Sequence, residues 1–251
     1  MTPLLRLRAV AKSYGAVEAL RGVDLDVQAG DVLALCGDNG AGKSTLIKIL
    51  SGAHAPDSGT IELDGAPVRF ASPQDALIRG IATIYQDLAV APRLSVAENV
   101  FLGSEPTRSP PGLPFLSLLD KRRMRDEARG YLARLGIAID DPARPVERLS
   151  GGQRQAVAIA RALRWNARIV IMDEPTAALG VAETALVLDL VRRLAAEGRT
   201  VILISHSMAD VAAVATRVAI LKGGRKTIDR LAAGLDAATL ARMVVTGRDA
   251  A

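Results

Sequence analysis

The run Gly37-Asp38-Asn39-Gly40-Ala41-Gly42-Lys43-Ser44-Thr45 meets every constrained position of the phosphate-binding loop pattern, and it directly follows the apolar stretch Val32-Leu33-Ala34-Leu35-Cys36. Glycines let a backbone wrap a polyphosphate with several N–H groups pointing inward. A helix beginning near Lys43 aims the positive end of its dipole at the same charge. Lys43 is placed to bridge the terminal phosphates of a nucleotide, and Ser44 to hold a magnesium ion. A glycine-rich turn entering a helix is the plainer reading, but it leaves the lysine, the hydroxyl and the preceding strand unexplained.

Such a site serves kinases, GTPases and motors alike, and a second motif separates them. Leu149-Ser150-Gly151-Gly152-Gln153 runs into a segment in which Ala156, Ile159, Ala160 and Leu163 fall at the i, i+3, i+4, i+7 spacing of a buried helical face. Ser150 is set to cap that helix, whose first turn offers N–H groups through side-chain-free glycines. A cap with no ligand is the alternative, and it leaves the paired glycines and Gln153 unexplained. On these two motifs the chain resembles the ATP-binding-cassette (ABC) ATPases, whose LSGGQ signature contacts the γ-phosphate of ATP held by the phosphate-binding loop of a partner subunit. The resemblance implies an α/β fold: a P-loop NTPase (RecA-like) core with a parallel sheet, an antiparallel β subdomain and an inserted α-helical subdomain. It implies ATP and Mg2+ as ligands.

Arg168-Ile169-Val170-Ile171-Met172-Asp173-Glu174-Pro175-Thr176 reads as a central parallel strand ending in two acids, at the edge where ligand sites of such sheets lie. Asp173 is expected in the magnesium shell and Glu174 beside the attacking water, as its proton acceptor or its positioner. A solvated turn is the alternative for adjacent carboxylates, and it weakens once the other two motifs are present. Val201-Ile202-Leu203-Ile204 ends in Ser205-His206, and Thr83-Ile84-Tyr85 ends in Gln86. The resemblance makes His206 the switch histidine that reaches the γ-phosphate, and Gln86 the glutamine that touches magnesium or the lytic water. It makes Tyr14 the aromatic on which adenine stacks; a surface tyrosine in a hairpin is the other reading. His54 falls in a polar turn and receives no role.

After Asp-Glu-Pro-Thr the family continues Ser-Ala-Leu-Asp, whereas this chain has Ala177-Ala178-Leu179-Gly180. The aspartate that helps join two sites across a dimer is absent, which touches communication between sites more than hydrolysis.

The elements that must carry these residues follow from patterning. Alternation such as Val23-Asp24-Leu25-Asp26-Val27 predicts antiparallel strands near the N-terminus, and Ile61 to Gly65 with Val68 to Phe70 predicts a hairpin in the same sheet. After Gln86 the pattern turns helical, with a capping box at Ser95-Val96-Ala97-Glu98. The segment from Gly103 to Pro114, with its four prolines, is expected to be an irregular surface loop. Strands and helices alternate again from Arg168. The expectation is one ABC ATPase domain over 1–251, with core and β subdomain at 1–86 and 154–251 and a helical subdomain at 87–153.

With 251 residues the chain can bury a substantial core. No apolar run is long enough to span a bilayer, and the first residues lack a signal-peptide pattern. Cys36 is the single cysteine, which excludes an internal disulfide and a cysteine-cluster metal site. A net charge of +5 with the Lys121-Arg122-Arg123-Met124-Arg125 cluster suggests nucleic acid, but Asp120, Asp126 and Glu127 interrupt it. A solvated helix face comes first, anionic lipid headgroups second and nucleic acid third.

Within the family, the stretch from Asp173 to Thr184, the Ile204-Ser205-His206-Ser207-Met208 run and the proline-rich insertion look like monosaccharide importers of the ribose, xylose and fructose type. That resemblance implies an ATPase motor at the inner face of the cell membrane. Its partners would be a second copy or a paralogous ATPase, permease subunits and, indirectly, a periplasmic sugar-binding protein, with no nucleic acid. A regulatory ATPase of a non-transport membrane complex is the first rival, and a ribosome- or nucleic-acid-associated cassette the second.

Overall fold

Alternating strands near the N-terminus build the first sheet of the computed structural model, which describes residues 2–109, 116–177 and 179–249. β1 (Leu5–Tyr14) and β2 (Val17–Val27) pair antiparallel, with Leu5 opposite Val27 and Leu7 opposite Leu25, so the apolar members of the alternation share one buried face. β3 (Val32–Cys36) is buried throughout and is followed by α1 (Lys43–Leu50). β4 (Ser58–Leu63) and β5 (Ala66–Val68) complete a four-stranded antiparallel sheet in the order β2-β1-β4-β5. The hairpin expected to reach Phe70 stops at Val68, and Phe70 turns into the core instead. α2 (Pro73–Ile78), capped by Ser72 with Pro73 in its first turn, leads to β6 (Ile81–Ile84).

The chain then turns helical. α3 (Val96–Phe101) opens with the expected reciprocal capping box between Ser95 and Glu98. Thr107 and Arg108 form a two-residue strand, β7, that pairs with Leu119 and Leu118 of β8 (Leu118–Leu119), so the expected irregular loop carries a short ladder. Pro110, Pro111 and Pro114 lie outside the described residues. α4 (Lys121–Arg134) is amphipathic: it buries Met124, Ala128 and Leu132 and turns its cations outward, where Arg123 meets Glu127 at 2.6 Å. A short 3-10 turn, Val146–Arg148, precedes α5 (Gly151–Arg164).

Strands resume with β9 (Ile169–Asp173), α6 (Val181–Ala196), β10 (Thr200–Ile204), α7 (Met208–Val214), β11 (Arg217–Lys222), β12 (Arg225–Leu231) and α8 (Ala237–Thr246). The six-stranded sheet runs β12-β11-β3-β10-β9-β6, parallel except for the edge strand β12. Burial on both faces explains its unbroken apolar strands. Leu33 and Leu35 of β3 face a core shared with α1 and the antiparallel sheet, while Ala34 and Cys36 face one built with Val211 of α7 and Leu240 and Met243 of α8.

Contacts divide the chain into two compact units, the first Met1–Gln86, Ala167–Ala177 and Val191–Ala251, the second Asp87–Asn166 and Ala178–Leu190. The motif order places the return to the core at residue 154. In the structure the second unit keeps the chain through Asn166, with α5 packed on α3 and α4, and it takes Ala178–Leu190 as well. No helix among the described residues is long and apolar enough to cross a membrane.

Candidate functional site

Parallel strands of the first unit all end at one edge of the sheet, and the residues with chemistry sit on the loops that leave that edge. After β3 the loop turns through Gly37, Gly40 and Gly42, all at positive φ. Two of these glycines are also fixed by crowding. A Cβ on Gly37 would lie 2.3 Å from the Leu221 carbonyl oxygen, and one on Gly42 2.6 Å from that of Ala19. Asp38, Asn39 and Gly40 are exposed at the crown of the loop, Ala41 packs beneath it, and Ser44 and Thr45 begin α1 behind Lys43.

Lys43 is buried, and its Nζ donates to the carbonyl oxygens of Gly37 at 2.6 Å and Asp38 at 3.0 Å. Burial lowers the ammonium's pKa from its ordinary value, while the charges of Glu174, Asp38 and Asp173 act in the opposite sense. The opposite pressure acts on Asp173 at the end of β9, whose carboxyl is pushed above the usual range first by burial and then by the neighbouring Glu174.

Glu174 leaves β9 with φ 50, a left-handed conformation that a branched or long side chain adopts only under constraint. Its N–H donates to the Ile204 carbonyl at 2.9 Å, which pins the turn to the end of β10. The Glu174 Oε1 lies 3.0 Å from His206 Nε2. Thr176 Oγ1 donates to Asp210 at 2.7 Å, and Ser207 caps α7 just beyond the histidine, so the two loops are tied together below their functional side chains. Asp210 escaped the sequence reading, although Ser207-Met208-Ala209-Asp210 has the spacing of a capped helix start.

Tyr14 ends β1, partly exposed, with His54 edge-on at 5.8 Å between ring centroids. His54, given no role from sequence, thus flanks the ring. Asp57 accepts from the Ser13 N–H at 2.7 Å and from Lys12 Nζ at 2.6 Å, which steadies the same turn. Gln86 stands exposed beyond β6.

Ser150, Gly151, Gly152 and Gln153 belong to the second unit. Ser150 caps α5 as expected, and Gln153, which the cap alone left unexplained, closes the box: Ser150 Oγ accepts from the Gln153 N–H at 3.3 Å and Gln153 Oε1 from the Ser150 N–H at 3.1 Å. The Gly151 N–H donates to Glu183 at 2.8 Å, a partner that no local pattern announces because it lies 32 residues along the chain.

The residues present suit a nucleoside triphosphate with a hard divalent cation. The phosphate loop offers backbone N–H groups and one ammonium, and Ser44 and Asp173 offer the oxygen donors that such a cation takes. Among the described residues no cluster of three histidine, cysteine or acidic side chains forms.

Comparison with known proteins agrees with this geometry. Residues 20–177 match the family described as ABC transporter. The chain is 48% identical over 227 residues to the fructose import ATP-binding protein FrcA of Rhizobium meliloti, covering 89% of this chain and 86% of that protein. It is 48% identical over 225 residues to the xylose/arabinose import ATP-binding protein XylG of Sulfolobus acidocaldarius, covering 90% and 87%. The ribose import ATP-binding protein RbsA 1 of Streptomyces coelicolor is 45% identical over 98% of this chain, which spans only 47% of that longer protein. Among solved structures, the ATP-binding cassette MJ1267 of an ABC transporter superposes with a TM-score of 0.83 at 28% identity, covering 98% of this chain and 99% of that one. The cassette MJ0796, solved as a dimer bound to ADP and Pi, gives 0.74 at 26% identity, covering 92% and 100%. With its phosphate loop, its signature helix and this degree of likeness, the chain belongs to the ABC transporter family as an ATP-binding cassette with the P-loop NTPase fold.

Proposed function

We propose that the chain is the ATP-hydrolysing motor subunit of an ABC importer for a monosaccharide, working as a pair of cassettes closed around ATP. The observation that carries the reading is the Glu174–His206 contact of 3.0 Å held beside the phosphate loop. Lys43, now satisfied by two carbonyls of its own loop, would transfer its ammonium to the terminal phosphates. Glu174 would hold the attacking water in line and accept its proton, and His206 would orient Glu174 and reach the γ-phosphate. Tyr14 would stack on adenine, with Gln86 beside the γ-phosphate end. Ser44 and Asp173 would hold Mg2+, which would supply positive charge to offset that of the phosphates.

The phosphate loop and the signature belong to different nucleotides in this reading, so each chain carries half of two composite sites. Asp38 to Gly42 of one subunit and Ser150, Gly151, Gly152 and Gln153 of the other would enclose each ATP. Loss of the γ-phosphate then removes the contact that holds the pair together, a differential interaction of the kind that moves attached subunits. The sugar specificity of the relatives' names supports a monosaccharide as cargo. Permease subunits, a sugar-binding protein and attachment to the inner membrane face complete the assembly.

Glu174→Gln is the test. It should bind ATP as the parent does, lose about 100- to 10,000-fold in turnover, and form an ATP-dependent dimer on size-exclusion chromatography. Turnover at the parent rate would overturn the assignment. Lys43→Ala should instead lose nucleotide affinity, since it removes the charge on the phosphates.

A further inference from the structure

Gly180 stands where the family pattern has an aspartate, and the structure holds that turn by another group. Glu183, in the first turn of α6, accepts from the Gly151 N–H through Oε1 at 2.8 Å and faces the Gly180 N–H through Oε2 at 3.4 Å. The capping bonds of the same helix start are longer, at 3.1 and 3.3 Å, so the carboxylate makes the shortest of these contacts. A negative group at a helix N-terminus is favoured by the dipole as well.

Both signature glycines are shaped to this neighbour. A Cβ on Gly151 would stand 2.4 Å from Leu179 Cδ2 and 3.2 to 3.3 Å from the two Glu183 oxygens, and a Cβ on Gly152 2.6 Å from Leu186 Cδ2. A Cβ at either glycine would push aside a leucine methyl and, at Gly151, crowd the Glu183 carboxylate, so the bare backbone of α5 lets these side chains lie close against it before any phosphate arrives. Residue 180 takes no part through a side chain, and space around its Cβ direction is open.

We infer that Glu183 is a positioning residue for the signature motif: its carboxylate clamps the first turn of α5 to the turn at Leu179 and Gly180, so that Ser150 and Gly152 are presented in fixed register to the partner's nucleotide. The inference rests on the composite-site reading above. Glu183 uses the Gly151 N–H and leaves the Ser150 hydroxyl proton as a donor for a phosphate oxygen. It acts through the backbone of Gly151 and makes no contact with the reacting atoms.

Glu183→Ala and Glu183→Gln, each made alone and in the Glu174→Gln background, test it. Glu183→Ala should keep monomer ATP affinity within about twofold, lower kcat about tenfold or more and weaken the ATP-dependent dimer by a similar factor; Glu183→Gln, which still offers an acceptor to Gly151, should recover to within about threefold. Thermal melts check that both variants fold. If the alanine variant dimerises and turns over like its parent, or if it loses ATP affinity and melting temperature together without recovery in the glutamine variant, Glu183 is not a positioning residue. If Glu174→Gln itself stays monomeric with ATP, the composite-site reading falls and takes this inference with it, an outcome distinct from a parent that dimerises and an alanine variant that does so equally well.

Discussion

Glu174 is held in a backbone conformation that costs about 1–2 kcal/mol for a residue with a side chain, and it is secured by the Ile204 carbonyl and the His206 ring. Strain at that position makes sense if the carboxylate must stand clear of the strand, toward the phosphate loop. On the other side of the same loop, Cys36 illustrates how dry the underlying core is: burial raises its thiol to about 12, with the Lys43 charge pulling only partly against it. Iodoacetamide should therefore leave Cys36 unmodified in the native protein near pH 8, where an ordinary thiol is partly ionised, and label it fully in denaturant. Rapid native labelling, read by intact mass, would show that the core around the end of β3 opens. The placement of Lys43, Asp173, Glu174 and His206 at or just beyond the ends of β3, β9 and β10 was legible in the sequence because each lies in a contiguous motif that follows an apolar run. Glu183 was not, because its partner Gly151 is brought to it only by the packing of α6 on α5.

Helix α3 shows the same contrast one level up. Its Ser95–Glu98 box could be read directly, whereas Asn99, one position later, looked like any polar residue of a helix. In the structure Asn99 is fully buried and binds backbone on both sides: it accepts from the Ala91 N–H at 2.7 Å and donates to the carbonyls of Ala91, Leu94 and Ser95 at 3.0 to 3.2 Å. Arg161 of α5 donates to Leu88 and Ala89 in the same segment. A stretch with no periodicity of its own is thus shaped by two side chains from helices. Asn99→Leu should cost about 1–3 kcal/mol by orphaning buried backbone groups, seen as an earlier urea midpoint. Hydrogen exchange should quicken at Ala91 to Ser95 while β3 and β10 stay protected. Equal protection throughout would mean that the segment is held by something else. The ladder of β7 with β8 was invisible in the sequence for a simpler reason, since two-residue strands are too short to carry alternation.

At the scale of the molecule, the antiparallel and parallel strand types could be read from the pattern, but not where the second unit closes. That boundary depends on α5 preferring α3 and α4, a packing choice with no local signature. The sheet order has a further consequence for how the chain is made. β3 has β10 and β11 as its two neighbours, and both are encoded far downstream. At about 5–20 residues per second on the ribosome, β3 emerges roughly 8–33 s before either flank exists to cover it. A newly made chain therefore exposes an apolar strand with two open edges for most of its synthesis, the state in which nascent chains aggregate or recruit chaperones. Arrested chains that stop before β10 should be cut readily near β3 by a protease. Those that extend past β11, with enough added length to clear the exit tunnel, should be resistant. Resistance in the shorter set would mean that β1, β2 and α1 shelter the strand by themselves during translation.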